Sequence, residues 1–394
     1  MKGKPILLCM LAVLLLWSGW CAASSPRTKQ EKSVVEQGAE HKDGDRIRVT
    51  FINPGISDPK NPTGGFWLSV SAFMYAVAEQ LDIDLEVIYS ERDHIRMQRQ
   101  VREVVSRPVH PDYLIVVNEK LAADEMVRTA DRAGIKVFVM LNTFVGDQAE
   151  SMGLPRKKYS HWIGSLIPNN RLAGYLIAKQ IIEAAQLQGK TKNRLLKVFA
   201  IAGDPVTQAS VERVDGLWQA VGEYPPKAEV EQVFFGQWRT DNAMQKTQLA
   251  LLRYPETRAI WAANDPMAIG AIRGAIAAQR TPGQDIFIGG LNWDKAALNR
   301  IKDGSLAISV GGHFMTGGWT LILLYDYHHG KDFIDEGAAL QCPIFGALTR
   351  KNIETFLAKF GDRDWTQIDF KKFSKVLNPG LRHYNFSAEA VIAP

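Results

Sequence analysis

A chain of 394 residues is too long for one ordinary hydrophobic core, so two domains or one large α/β unit is the expectation. Apolar residues make up 46% and charged residues 23%, as in a soluble globular protein that can bury a sizeable core. The formal net charge is only +5 and no run of five like charges occurs, which argues against a nucleic-acid surface and for a small-molecule or protein partner.

The chain opens with Lys2 and Lys4, then an apolar run from Pro5 to Trp17, and then Cys21-Ala22-Ala23, small residues where a signal peptidase reads. Residues 1–23 are therefore read as a cleaved secretory signal peptide. The run is short for a membrane helix and no second span follows, so no membrane insertion is expected after cleavage. A lipid anchor on Cys21 is the competing reading, and bulky Trp20 just before that cysteine speaks against it. Cleavage removes Cys9 and Cys21 and leaves Cys342 without an internal disulfide partner. It also leaves 45 basic against 42 acidic residues, a net +3. Residues 24–45 are polar and aperiodic, which reads as a flexible leader.

From Arg46 onward short apolar β-rich runs alternate with helical patterns. The first half reads strand 47–52, helix from Phe66, strand 85–90, helix from about His94, strand 113–118, helix from about Ala122 and strand 136–141. The second half repeats the scheme: helix from Asn169, strand 195–203, helix from Gln208, strand 229–236, helix from Asp241, strand 259–264, helix from Pro266 and strand 286–291. Continuously apolar strands separated by helices imply parallel sheets covered on both faces. The fold class is α/β, with two similar lobes.

In open parallel sheets ligands bind beyond the carboxyl ends of the strands. The stretch "IWAANDPMAIG" places Asn264 at such an end. Asp265 suits a helix N-cap and Pro266 the first helical position, which leaves Asn264 spare for a ligand. No P-loop, nucleophile elbow, dinucleotide fingerprint or zinc spacing occurs, so no cofactor and no metal are expected.

Five segments in this order resemble the type 1 periplasmic binding proteins, the ribose-binding and LacI-like sugar receptors. They are "NPTGGFW" (61–67), "GSLIPNNRLAGYLIA" (164–178), "AGDPVTQASVERVDGLWQAV" (202–221), "PETRAIWAANDPMAIGAIRGA" (255–275) and "DIFIGGLNWDKAALNRIKDGSLAISV" (285–310). The resemblance covers about 47–345. It implies lobes joined by a three-segment hinge, with crossings near 162–166, 311–314 and 343–347. The N-terminal lobe is then 46–163 plus 313–344, and the C-terminal lobe 164–312 plus 345–394 with an extended tail. Pro54-Gly55, an aromatic-Trp pair and the "MLN" asparagine are similar to the sensory branch typified by the autoinducer-2 receptor, which binds a furanosyl borate diester.

The resemblance also implies a site. Phe66 and Trp67 match the aromatic pair that covers a sugar ring, whose C–H face stacks on an aromatic face; the bland alternative puts both in the core. Asn142 and Asn292 stand where such receptors often carry Asp, so the cleft is expected to be less acidic than that of a simple pentose receptor. Arg213 matches the arginine that reaches the cleft from a second-lobe helix, although a surface salt bridge to Glu212 or Asp215 would also account for it. Glycines 311 and 312 replace the polar group of the lobe crossing, which puts a borate ligand in doubt, and His313 is the substitute or a structural histidine. Asp294 reads as the N-cap of "KAALNRIK".

The resulting expectation is a monomeric periplasmic solute-binding protein, not an enzyme, that closes on a sugar or sugar-like small molecule and presents it to an ABC sugar transporter permease. The alternative is a receptor subunit for a membrane histidine kinase or chemoreceptor. A LacI-type regulator would need an N-terminal helix-turn-helix, which residues 1–45 lack. A secreted enzyme would need paired carboxylates or a nucleophile and base at strand ends where asparagines stand.

Overall fold

The computed structural model of the protein describes residues 46–61, 65–187, 195–223 and 228–392; the expected signal (1–23) and leader (24–45) lie outside the described residues. Two six-stranded sheets organise the chain. The first is fed by β1 (Ile47–Asn53), α1 (Gly65–Gln80), β2 (Ile83–Tyr89), α2 (His94–Val105), β3 (Tyr113–Val116), α3 (Ala123–Arg132), β4 (Lys136–Met140), α4 (Gly146–Met152) and β5 (Trp162–Pro168). The second is fed by α5 (Asn170–Leu187), β6 (Leu196–Ala202), α6 (Gln208–Gly222), β7 (Ala228–Phe235), α7 (Thr240–Arg253), β8 (Thr257–Ala262), α8 (Asp265–Ala277), β9 (Phe287–Leu291), α9 (Lys295–Asp303) and β10 (Ile308–Gly311). The chain then returns through α10 (Thr316–His328) and β11 (Ala339–Cys342), re-enters the second sheet as β12 (Gly346–Leu348), and ends with α11 (Ile353–Phe360) and α12 (Ala388–Ile392).

The strand orders are β11-β5-β4-β3-β1-β2 and β12-β10-β9-β8-β6-β7. All pairings within these sheets are parallel except β10 with β12. Alternation along β3 shows why the strand reads as a solid apolar run: Tyr113 and Ile115 join the cluster beneath α1 and α10, while Leu114 and Val116 join the one beneath α2 and α3. Both faces of the sheet are covered.

In the second lobe α5 and α6 approach unusually closely. A Cβ on Gly174 would stand 1.9 Å from the Arg213 carbonyl oxygen, and one on Gly216 would stand 2.0 Å from that of Arg171. Glycine at both positions lets the two backbones touch, and this contact sets the height of α6 over its sheet.

The three hinge crossings run from β5 to α5, from β10 through the turn His313–Met315 to α10, and from β11 to β12. The first lies later than expected, because β5 pairs with β4 as far as Leu166 and with β11 as far as Pro168. Residues 164–168 therefore lie in the first sheet. The tail also departs from its expected place: Phe370 and Trp365 pack edge-on against Phe73 of α1, and Phe373 and Phe386 pack on Trp319 of α10. Cys342 is a free, buried thiol, and burial pushes its pKa up to about 12.

Candidate functional site

Between the carboxyl ends of the two sheets lies a cavity of about 400 Å³. All seven residues singled out from the sequence line it: Phe66, Trp67, Asn142, Arg213, Asn264, Asn292 and His313. They come from six separate stretches of chain.

Phe66 and Trp67 enter on the first turn of α1 and meet edge to face with centroids 5.1 Å apart. Trp67 is the more deeply set, its Cβ lying against the Gly55 backbone, while Phe66 stacks on His313 at 4.4 Å. His313, at the second hinge crossing, is also flanked by Phe345, and its Nδ1 is buried without a hydrogen-bond partner among the described residues. Burial, reinforced by the Arg213 charge, holds the His313 pKa well below the usual histidine value, so the ring is neutral at neutral pH.

Arg213 is buried and, among the described residues, forms no salt bridge with Glu212 or Asp215. Asp215 pairs instead with Arg171, and Glu212 accepts a hydrogen bond from Gln208. The Arg213 Nε donates to Asn170 Oδ1 at 3.1 Å, one terminal nitrogen donates to the Ala263 carbonyl at 2.8 Å, and the guanidinium lies 5.9 Å from the Trp238 ring centre. Burial lowers its pKa to about 9, which leaves a cation at neutral pH. Two of its five N–H groups are thus engaged by these bonds, and the fork is held rigidly at the cavity wall.

Asn264 takes the capping role that the sequence assigned to Asp265, and it still lines the cavity, which Asp265 does not. Asn264 is the N-cap of α8, its Oδ1 accepting the Met267 N–H at 2.9 Å, while its Nδ2 lies 3.4 Å from the Trp238 carbonyl. Asp265 is fully buried and binds the Ser309 hydroxyl and the Asp294 N–H. The extended backbone at Asn264 aims its side chain back over the helix start, which fits capping better than Asp265 does from inside the first turn. Asp294 occupies an N-cap position without capping; its carboxylate faces the cavity and accepts from Asn292 Nδ2 at 3.3 Å. Burial raises its pKa, and the nearby Arg363 charge opposes that rise.

Asn142 bridges the lobes, its Oδ1 accepting the Ala209 N–H at 3.1 Å, and Thr143 N–H donates to Gln208 Oε1 at 2.6 Å beside it. Sequence reasoning missed several lining groups: Asn170, Trp238, Asp294 and the Arg92–Glu119 ion pair. Glu119 and Trp238 follow the ends of β3 and β7, where the strand-end rule would have placed them. The positive φ values of Lys120, Gln237 and Trp238 that turn these loops inward carry no sequence signal. Trp238 is held as a platform by its Nε1–H bond of 2.7 Å to buried Asp204. Among the described residues no cluster of His, Cys, Asp and Glu could hold a metal ion, and no helix is long and apolar enough to cross a membrane.

Two parallel-sheet lobes with a hinge and a lined cavity at their strand ends define a protein that encloses a small molecule between its halves. Residues 58–332 match the periplasmic binding protein domain, and the chain belongs to that family. It is 26% identical over 259 residues to the ribose import binding protein of Salmonella typhimurium, covering 65% of this chain and 76% of that one. A periplasmic sugar-binding protein from Pseudomonas fluorescens superposes with a TM-score of 0.78 at 34% identity, covering 88% of this chain and 100% of that one. The fold is also that of an ABC transporter solute-binding protein from Actinobacillus succinogenes with bound D-allose, at TM-score 0.67 and 20% identity over 78% of this chain and 99% of that one.

Proposed function

We propose that the protein is the periplasmic solute-binding component of an ABC importer and that it closes its lobes on a sugar or sugar-like ligand. The observation that carries this reading is the composition of the cavity wall. Aromatic faces from Phe66, Trp67 and Trp238 stand among the amides of Asn142, Asn170, Asn264 and Asn292 and the fork of Arg213. Apolar faces suit the C–H surface of a sugar ring, and convergent donors and acceptors suit its hydroxyls. Because the lining comes from both lobes, the ligand contacts are complete only in the closed form, so binding selects closure. A permease reading the closed surface then receives only loaded protein. The ribose import relative supports the import reading over a sensory one.

Thermal unfolding of ligand-stripped protein against pentoses, hexoses, sugar alcohols, sugar acids and borate-complexed furanones tests it. A true ligand at a hundredfold excess over Kd adds about 2.7 kcal/mol, a rise of a few degrees. A response to the furanosyl borate alone would turn the output from import to signalling. No response from any sugar, or turnover of a bound one seen by NMR, would refute the proposal.

A further inference from the structure

The chain continues for more than sixty residues past the matched domain, which ends at 332. That continuation makes a passage between the lobes besides the three hinge crossings. From β12 and α11, which lie against β10 and α9 of the second lobe, it turns through Gly361 and Arg363 and packs Trp365 and Phe370 onto α1 of the first. It is fastened there by Gln80, which bonds the Thr366 and Ile368 carbonyls and the Phe370 N–H, and by Asp326, which takes the Ser374 hydroxyl and the Lys375 N–H.

Arg363 sits at the turn with φ +60° and is largely buried. One terminal nitrogen donates to Ser69 Oγ on α1 at 3.0 Å, and the other donates to the Trp293 carbonyl in the second lobe. The Ser69 hydroxyl passes the link on to the Gly65 carbonyl at 2.9 Å. Gly65 begins the helical turn that carries Phe66 and Trp67, and Asp294 Oδ1 lies 3.7 Å from where a Cβ on Gly65 would stand. The guanidinium therefore joins, in one side chain, the turn bearing the aromatic pair to the loop bearing Asn292 and Asp294.

We propose that Arg363 is a positioning residue of the ligand cavity: a clasp from the C-terminal tail that fastens the aromatic first turn of α1 to the second lobe, so that ligand affinity depends on the tail. It touches no ligand itself and acts through Ser69 and Trp293. The proposal rests on the ligand-binding reading of the cavity, and the test separates the two.

Full-length wild type, R363Q, S69A and the double variant are compared by hydrogen exchange without ligand and by calorimetric titration with D-ribose and D-allose. The clasp predicts faster amide exchange in R363Q confined to the start of α1 and to residues 291–296. It predicts a loss of affinity of about tenfold or more, as expected for a charge-assisted hydrogen bond. S69A removes one anchor from a partly exposed position, so it carries the test if R363Q folds poorly. The double variant is expected to bind no worse than R363Q, because both changes break one chain of contacts. Affinity within twofold of wild type in R363Q, or additive losses in the double variant, overturns the clasp. If neither of these two sugars binds wild type, the wider panel decides the sugar reading, and the exchange data alone decide the clasp: local acceleration supports it and unchanged exchange overturns it.

Discussion

His313 illustrates what burial does to a single side chain. The ring is sandwiched by Phe66 and Phe345 and faces the Arg213 charge, and both burial and that charge disfavour its protonation. Its folded pKa therefore lies below the unfolded value of about 6.5. The contribution to stability is full above about pH 6.5 and is lost as pH falls, because the unfolded chain takes the proton first. Wild type should thus lose stability relative to His313→Asn between pH 7.5 and 5.5, with a slope of up to about 1.4 kcal/mol per pH unit. Urea unfolding of both proteins at several pH values checks this; a difference that stays constant with pH would show that the ring is not kept neutral by the fold. That a histidine follows the glycines of the crossing was legible in the sequence. Its stacking on Phe66 was not, since Phe66 lies almost 250 positions away along the chain. The same limit misplaced the cap of α8, expected at Asp265 and found at Asn264. Both types cap helices, and only the position of Ser309 on the neighbouring strand shows why the acid is drawn inward.

At the scale of elements, the reach of Arg213 into the cavity depends on how α6 seats on α5. Gly216 meets the Arg171 carbonyl and the Tyr175 N–H where a side chain would stand. Gly216→Ala should push the helices apart, destabilise the protein by about 1–3 kcal/mol and weaken ligand binding by moving the guanidinium. Denaturant unfolding and titration of the variant measure both effects, and an unchanged affinity would mean that α6 can shift without carrying Arg213 with it. Helices and strands here were legible because strands buried on both faces are apolar throughout, and the helices between them begin near the positions their patterns indicate. Pairing order was less so. The extension of β5 as far as Pro168 depends on a neighbour, β11, that arrives about 170 residues later.

For the whole molecule, the tail is the part that the repeating α/β pattern does not anticipate. Its aromatic residues join those of α1 and α10 in one cluster, with Phe370 fully buried between Phe73 and Trp319. Phe370→Ala should therefore destabilise the protein by about 3–5 kcal/mol, as removal of a core aromatic does. A change below about 0.5 kcal/mol, typical of surface positions, would show that the tail is only laid on the lobe. Thermal or urea unfolding distinguishes these outcomes.

The sequence by itself determined the α/β class, the two-lobed plan and the strand-end residues that meet in the cavity, because alternation of apolar strands and helices and the chemistry of strand ends are local properties. The tertiary structure alone decided which of two adjacent polar residues caps a helix, which loops turn Trp238 and Glu119 inward, and that the tail reaches back across the lobes to place Arg363 between Ser69 and Trp293. Those outcomes depend on contacts between segments far apart in the chain, and no local pattern encodes which distant carbonyl or hydroxyl will be within reach.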